Sequence, residues 1–162
     1  MFQTKFLVKN ALIAALYMTL TISLAPISYG PVQVRISEFM TLLAFWNPKY
    51  VMGLVVGCFL ANLGSPFGIA DVFVGTLATF LAVYMMRYCS GIFLASLLPV
   101  LSNVILIGME LMYLAALPAE MPVWSAMLYI AFGEFLSVSV LGIFLGKFLL
   151  RNIALQKFLA DI

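Results

Sequence analysis

Long apolar runs with almost no charge between them are the feature that most constrains this chain. Charged residues make up 9% of its 162 residues and hydrophobic residues 65%, whereas a soluble domain carries about 25% charged residues. Eight basic and six acidic side chains are too few to cover a water-soluble fold of this length. The runs are continuous and lack the polar–apolar alternation of transmembrane β-strands. The sequence therefore predicts an all-α membrane protein.

The length limits the number of crossings. A spanning helix uses about 20 residues, so six would use about 120 and leave about 40 for loops and tails. Proline, glycine and charged residues divide the chain into six apolar segments, because proline removes a backbone donor and glycine permits tight turns. We predict one transmembrane domain over residues 1–162, a six-helix bundle with helices at about 5–25, 35–46, 49–63, 70–87, 91–116 and 123–150.

The first segment has the pattern of a signal peptide, with Lys5 and Lys9 ahead of an apolar run that ends in small residues. A cut there would place Pro26 directly after the cleavage site, and the run contains hydroxyl residues such as Thr19 and Thr21. We therefore predict that the segment is retained as the first helix.

Basic residues give the orientation. If the N-terminus is cytoplasmic, seven of the eight basic residues fall on the cytoplasmic side of the six-helix map, as the positive-inside rule requires. The exception is Arg35. An even number of crossings then makes both termini cytoplasmic. The seven are Lys5, Lys9, Lys49, Arg87, Lys147, Arg151 and Lys157.

Five of the six acidic residues, all but Asp161, lie near the middle or in the outer half of the same map, as do the amides Asn62 and Asn103. An acid at the bilayer centre costs about 2.5–3.5 kcal/mol when it faces lipid. Such residues are therefore expected to face the interior, where water, a partner or a ligand can meet them. The set that predicts an outward-facing polar site comprises Glu38, Asn62, Asp71, Asn103, Glu110 and Glu134.

Several of these features have a structural alternative. Arg35 and Glu38 stand three residues apart and could form an ion pair within one helix. Asn103 could bridge two helices by a hydrogen bond. The segment 35–46 is too short to span the membrane, which points either to a binding site at its end or to a tilted helix in a thinned bilayer.

Small residues recur at four-residue spacing, which lets helices approach closely. Packing within the chain explains such pairs, and docking onto another membrane subunit is the alternative, best suited to Ala11 and Ala15. The pairs are Ala11/Ala15, Gly53/Gly57 and Gly142/Gly146.

The sequence lacks the residues and motifs that are typical of several other functional classes. The chain has no histidine, the commonest metal ligand and general base, and no phosphate-binding loop or hydrolase motif. Cys58 and Cys89 suggest neither a disulfide framework nor a metal site. A net charge of +2 gives no reason to expect nucleic acid as a partner. We expect neither an enzyme nor a cofactor.

Four stretches together resemble one family of transporters. Residues 26–38 read Pro-Ile-Ser-Tyr-Gly-Pro-Val-Gln-Val-Arg-Ile-Ser-Glu, and the others are 53–62, 65–71 and 75–79. They resemble the QueT family, substrate-capture (S) components of energy-coupling factor transporters for queuosine precursors. The resemblance is strongest over 11–80 and supplies no motif after residue 90, so the site residues on helices 5 and 6 rest on chemistry alone.

The resemblance implies a multi-pass protein of the bacterial plasma membrane. It implies three partners, a transmembrane coupling subunit and two cytoplasmic ATPase subunits, and a 7-deazaguanine substrate captured from outside, such as queuine or its 7-aminomethyl or 7-cyano precursor. Ala11 and Ala15 match the Ala-x-x-x-Ala pattern by which such components dock onto the coupling subunit.

The chemistry of such a base assigns roles to the polar residues. A carboxylate suits the N1–H and exocyclic amine of a guanine-like edge, and a donor suits its O6. We expect Glu110 or Glu134 to bind the base edge, and Glu38 or Asp71 to lie near the amine or to orient Arg35. Amide and cationic contacts are assigned to Gln33, Arg35, Asn62 and Asn103, and aromatic cover to Tyr29 and Trp124.

Two other functions fit the sequence less well. One is an S component for another vitamin-like solute, and the other is a six-helix scaffold of the cell-wall machinery that transports nothing. An intramembrane enzyme ranks below both, because the catalytic motifs are missing.

Overall fold

The computed structural model is all-helical in the residues it describes, 2–29, 34–114, 121–149 and 151–160. Within these ranges there is no β-strand. The α-helices are α1 (Phe2–Ser23), α2 (Ala25–Ser28), α3 (Leu43–Trp46), α4 (Val51–Asn62), α5 (Ile69–Met85), α6 (Ile92–Tyr113), α7 (Val123–Glu134), α8 (Ile143–Leu149) and α9 (Ile153–Ala160).

Four helical stretches of the described chain are long and apolar enough to cross a membrane. Each has at least 20 residues, which at 1.5 Å per residue matches a hydrocarbon core of about 30 Å. The all-α fold is confirmed for the described residues, and these four stretches agree with a membrane protein, whereas six crossings and cytoplasmic termini remain predictions. The four are Thr4–Ser23, Ile69–Tyr88, Ile92–Tyr113 and Val123–Leu149, and two shorter apolar stretches are Ile36–Trp46 and Pro48–Asn62.

Two facing segments of the predicted helices are irregular, and short 3₁₀ turns also occur at Pro48–Tyr50 and Met86–Tyr88. Ile36–Leu42 is a 3₁₀-helix that leads into α3, and Phe135–Gly142 is a π-helix between α7 and α8. The two pack against each other. The 3₁₀ form is supported by Thr41, whose Oγ1 donates to the carbonyl of Glu38 at 2.6 Å. The narrow 3₁₀-helix thus packs beside the wide π-helix. Irregular helical turns of this kind often accompany functional sites.

The helix boundaries differ from the predictions at two places. The first helix ends at Ser23, and Pro26 lies in the first turn of α2, where its missing N–H has no cost. A further helix, α9, follows the predicted sixth helix after a break at Arg151 and Asn152. The predicted loop over 117–122 lies mostly outside the described residues.

The last helix brings the two ends of the chain together. The carbonyl of Phe158 in α9 accepts hydrogen bonds from the Lys9 ammonium of α1 and from the Tyr50 hydroxyl, the latter at 3.0 Å. The rings of Tyr50 and Phe158 stack with centroids 6.5 Å apart. The first and last helices therefore meet at one end of the bundle.

The bundle has an apolar surface, and its interior combines an apolar core, which includes Leu42 and Leu54, with buried polar side chains. Large apolar side chains such as Phe73 and Leu101 are exposed on its surface, as expected for contact with lipid. Helix α1 packs on α4, α4 on α5, α5 on α6, and α6 on α7. The described residues include sixteen buried polar or charged side chains, among them Asp71 and Glu134.

The two glycine pairs serve packing within the chain. A Cβ at Gly53 would lie 2.6 Å from the carbonyl oxygen of Asn10, and a Cβ at Gly57 would lie 2.9 Å from the Cβ of Tyr17. Gly142 similarly lies against Leu42. These contacts confirm the first explanation for the glycine pairs. Ala11 and Ala15 differ, because both are exposed on α1.

Replacing Gly53 with alanine should destabilise the bundle. The new methyl group would press on the backbone of Asn10, which cannot rotate away, and such overpacking costs about 1–3 kcal/mol. Thermal unfolding of the detergent-purified protein measures the loss. Gly91→Ala is the matched control, because a Cβ there meets nothing within 4 Å. Equal melting temperatures for the two variants would contradict this packing.

Candidate functional site

A buried ion pair joins the start of the 3₁₀-helix to the first turn of α5. Arg35 Nη2 lies 3.2 Å from Asp71 Oδ2, and the two side chains are 3% and 1% exposed. The guanidinium carbon lies 5.5 Å from the ring centroid of Tyr29. Of the two acids expected to orient Arg35, the structure brings Asp71 to it. An ion pair between Arg35 and Glu38, both in the described chain, is not formed.

Asn62 at the end of α4 forms a hydrogen bond with the backbone of Asp71, the acidic member of this pair. Its Nδ2 donates to the Asp71 carbonyl at 3.2 Å and to Cys58 Sγ at 3.4 Å. Gly75 makes the approach possible, because a Cβ there would lie 2.6 Å from Asn62 Nδ2 and 3.0 Å from Asp71 Oδ1. Its carbonyl oxygen also accepts from Cys58 Sγ at 3.7 Å. Gly75 therefore contributes to the site because any larger residue would push against the side chains of Asn62 and Asp71.

The carboxyl group of Glu38 forms a hydrogen bond with a residue of α1. The Tyr17 hydroxyl donates to Glu38 Oε1, and one turn further along the helix Thr21 Oγ1 lies 2.6 Å from Ser37 Oγ. All four residues are fully buried. Sequence analysis missed Tyr17 and treated Thr21 only as evidence against cleavage. The available signal was their four-residue spacing, which puts both polar groups on one face of α1.

The remaining polar residues lie on α6 and on the helix formed by α7 and the π-turns. Asn103 is 3% exposed, Glu110 6% and Glu134 1%. Electrostatic interactions link Glu110 to Asp71 and Arg35. Glu134 interacts electrostatically with Glu38 and Arg35, and its side chain lies beside that of Asn103. Polar groups from six helical segments, α1, the 3₁₀-helix, α4, α5, α6 and α7, therefore lie in the interior of the bundle.

Many of these buried groups lack a hydrogen-bond partner. Eleven buried side-chain atoms in the described residues are unpartnered, and each costs about 1–3 kcal/mol when it is left without water or a ligand. Six are carboxyl or amide oxygens, two are nitrogen donors and three are hydroxyls. The oxygens are Glu38 Oε2, Asn62 Oδ1, Asn103 Oδ1, Glu134 Oε2 and both Oε of Glu110; the donors are Arg35 Nε and Asn103 Nδ2; the hydroxyls belong to Ser28, Thr76 and Ser137.

These unpartnered atoms are chemically complementary to a polar molecule rich in N–H groups. The protein offers mainly acceptors, so the complementary ligand supplies mainly donors. A metal ion is not suggested, because the described residues contain no group of three metal-ligating side chains.

The two predicted aromatic residues differ in placement. Tyr29 lies beside Arg35, and its hydroxyl donates to the carbonyl of Ala61 at 2.5 Å. Trp124 is 65% exposed in the first turn of α7, so its ring is not buried with the polar residues. Gln33 lies outside the described residues.

Comparison with known proteins identifies the family. The family model described as QueT transporter matches residues 7–151. The chain belongs to the QueT transporter family. The match extends from α1 into the turn after α8, so it includes all the polar residues placed above.

A curated QueT relative agrees with this assignment. The "Queuosine precursor transporter QueT" of Lactococcus lactis subsp. cremoris is 44% identical over 79 residues, which cover 48% of this chain and 46% of that relative. The alignment thus spans about half of each QueT protein. No solved structure matches the chain.

The Arg35–Asp71 pair gives a direct test of the site's electrostatics. Asp71→Asn leaves the guanidinium buried without its ionic partner, and breaking a buried pair in this way costs about 3–5 kcal/mol. The double variant Arg35→Met with Asp71→Leu removes both charges and should recover most of the stability. Melting temperatures in one detergent compare the three proteins. An Asp71→Asn protein as stable as the unmodified chain would contradict the pairing.

Proposed function

We propose that this member of the QueT transporter family is a substrate-binding S component of an energy-coupling factor importer. It captures a queuosine precursor, a 7-deazaguanine base, from outside the bacterial plasma membrane. The observation that carries the proposal is the set of unpartnered buried atoms, most of them acceptors. The printed name of the Lactococcus relative supports the choice of substrate.

The edge of a 7-deazaguanine matches the site group by group. Its N1–H and exocyclic amine together suit a carboxylate with two open oxygens. Glu110 has both oxygens unpartnered, whereas Glu134 has one, so we assign the base edge to Glu110. The O6 atom needs a donor, and the site offers Asn103 Nδ2 and Arg35 Nε. Tyr29, beside Arg35, is the aromatic residue available to cover the ring.

The balance of charge favours bases that carry an amine. The buried charged residues of the described chain are one arginine and four acids, and Asp71 already pairs with the arginine. Three carboxyl groups, Glu38, Glu110 and Glu134, then have no cationic partner. A protonated aminomethyl group supplies that charge and a nitrile does not. We therefore propose that the 7-aminomethyl base binds more tightly than the 7-cyano base.

The same proposal includes membrane orientation and partners. The contact between Lys9 and Phe158 supports an even number of crossings, and the basic residues then favour cytoplasmic termini. Ala11 and Ala15 form a small exposed surface on α1, suited to close approach by a helix of the coupling subunit. Two cytoplasmic ATPase subunits would supply the energy for uptake.

Substitution of Glu110 and of Glu134, each by glutamine, tests the substrate assignment. Glu110→Gln should weaken binding of the 7-aminomethyl base about tenfold or more, because one hydrogen bond to a charged group is lost and an amine then faces the bound donor. Glu134→Gln should have a smaller effect. Trp124→Ala is the control and should bind like the unmodified protein. Calorimetric titration of purified protein in lipid nanodiscs measures all four affinities.

A panel of other solutes completes this test. The unmodified protein should bind 7-deazaguanines and should show no measurable binding of common vitamins. Tight binding of a vitamin, or two unchanged affinities for the Glu110 and Glu134 variants, would contradict the assignment.

Bulk added on the exposed face of α1 tests the partner assignment. Ala11→Leu combined with Ala15→Leu should reduce co-purification with the coupling subunit and uptake by cells several-fold, since helices no longer approach closely. Base binding to the isolated protein should not change. Leu101→Phe adds bulk on the exposed face of α6 and serves as the control. Unchanged co-purification would place the docking surface elsewhere.

A further inference from the structure

Tyr17 is a fully buried phenol that the proposed function leaves without a role. It lies on the inner face of α1 and is 0% exposed. Its hydroxyl donates to Glu38 Oε1, while Glu38 Oε2 has no hydrogen-bond partner in the described part of the chain. The phenol therefore occupies one oxygen of the carboxyl group and leaves the other open.

The position of the Tyr17 side chain is closely determined. Gly57 of α4 lies directly against it, such that a Cβ at Gly57 would be 2.9 Å from Tyr17 Cβ. On the 3₁₀-helix, Glu38 is likewise 0% exposed. The donor and the acceptor are both fixed by packing, so the hydrogen bond sets the direction in which Glu38 Oε2 points.

Without that bond Glu38 has a competing partner. Arg35 lies three residues before Glu38, interacts with it electrostatically, and has an unpartnered Nε. Residues three apart on one helix come within reach of each other. A carboxyl group released by Tyr17 would turn toward Arg35, and two polar groups would then be lost to a ligand.

We propose that Tyr17 is a positioning residue for substrate, which keeps the Glu38 carboxyl group away from Arg35 and presents its second oxygen to the amine of the bound base. This inference rests on the proposed function and assigns the amine to Glu38. Tyr17 itself does not contact the substrate. The Thr79 hydroxyl also interacts with Glu38. The same hydroxyl shares a hydrogen bond with Cys58, at 3.2 Å from the Sγ atom.

The chain offers a matched control for a purely structural role. Thr21 Oγ1 lies 2.6 Å from Ser37 Oγ and donates to the backbone carbonyl of Tyr17 at 2.9 Å, so it joins the same two helical segments through groups other than the Glu38 carboxyl group. Thr21→Val removes this second connection and keeps the shape of the side chain. A role in holding the segments together would make Tyr17→Phe and Thr21→Val behave alike, whereas a positioning role separates them.

The experiment is a titration of purified variants in nanodiscs with two ligands, the 7-aminomethyl base and 7-methyl-7-deazaguanine, which lacks the amine. Tyr17→Phe should weaken binding of the aminomethyl base about tenfold, the scale of one hydrogen bond to a charged group. Binding of the methyl base should change about twofold or less, and Thr21→Val should change neither by more. In a Glu38→Gln background, adding Tyr17→Phe should cost nothing further.

The outcomes are distinguishable. If the unmodified protein binds neither base, the proposed function fails and this inference fails with it. If it binds both bases, three results each overturn the role of Tyr17 alone: equal losses for the two ligands, equal losses for Thr21→Val, or a further loss in the Glu38→Gln background. Should Tyr17→Phe not fold by itself, the comparison of Tyr17→Phe/Glu38→Gln with Glu38→Gln decides, and equal affinities support the role.

Discussion

The structure depends on how a membrane protein satisfies polar groups that no water can reach. A hydrogen-bonding atom buried in a low-dielectric interior costs free energy until a partner meets it. Here Arg35 and Asp71 satisfy each other across the bundle, and Tyr17 satisfies half of the Glu38 carboxyl group. The carboxyl oxygens of Glu110 have no partner in the described chain. That imbalance beside an apolar core is the observation on which the proposed binding site rests.

The backbone produces this arrangement by departing from regular α-helix at two facing segments. The 3₁₀-helix Ile36–Leu42 directs Ser37, Glu38 and Thr41 into the interior, and the opposing π-helix buries Ser137 and Ser139. Regular helices on both sides would present different side chains to each other. Helix α1 has two different faces. Tyr17 lies on the buried face and Ala11 on the exposed one. The helix proposed to dock onto the coupling subunit is thus the one whose Tyr17 holds the Glu38 carboxyl group.

Much of this could be predicted from the sequence, because lipid imposes strict rules on composition and length. Helical stretches and their approximate ends followed from proline, glycine and charge, and the scarcity of acids made Glu38, Asp71, Glu110 and Glu134 stand out as interior residues. The irregular turns could not be predicted, since 3₁₀ and π geometry arises from packing between distant segments. The same holds for Tyr17 and Gly75, whose roles depend on which neighbour the fold brings to them. Exposure of Trp124 also escaped prediction, because aromatic residues suit both a binding site and a membrane surface.

The central claim is that a donor-rich base occupies the space between α5, α6 and the two irregular segments. The most direct measurement is an experimental structure of the protein purified with the 7-aminomethyl base, at a resolution that shows the ligand and bound water. The account predicts one base per chain, with its edge on Glu110, its O6 on Asn103 or Arg35, and its amine at Glu38. A structure in which these side chains pair with one another, and the base lies elsewhere or is absent, would contradict the account.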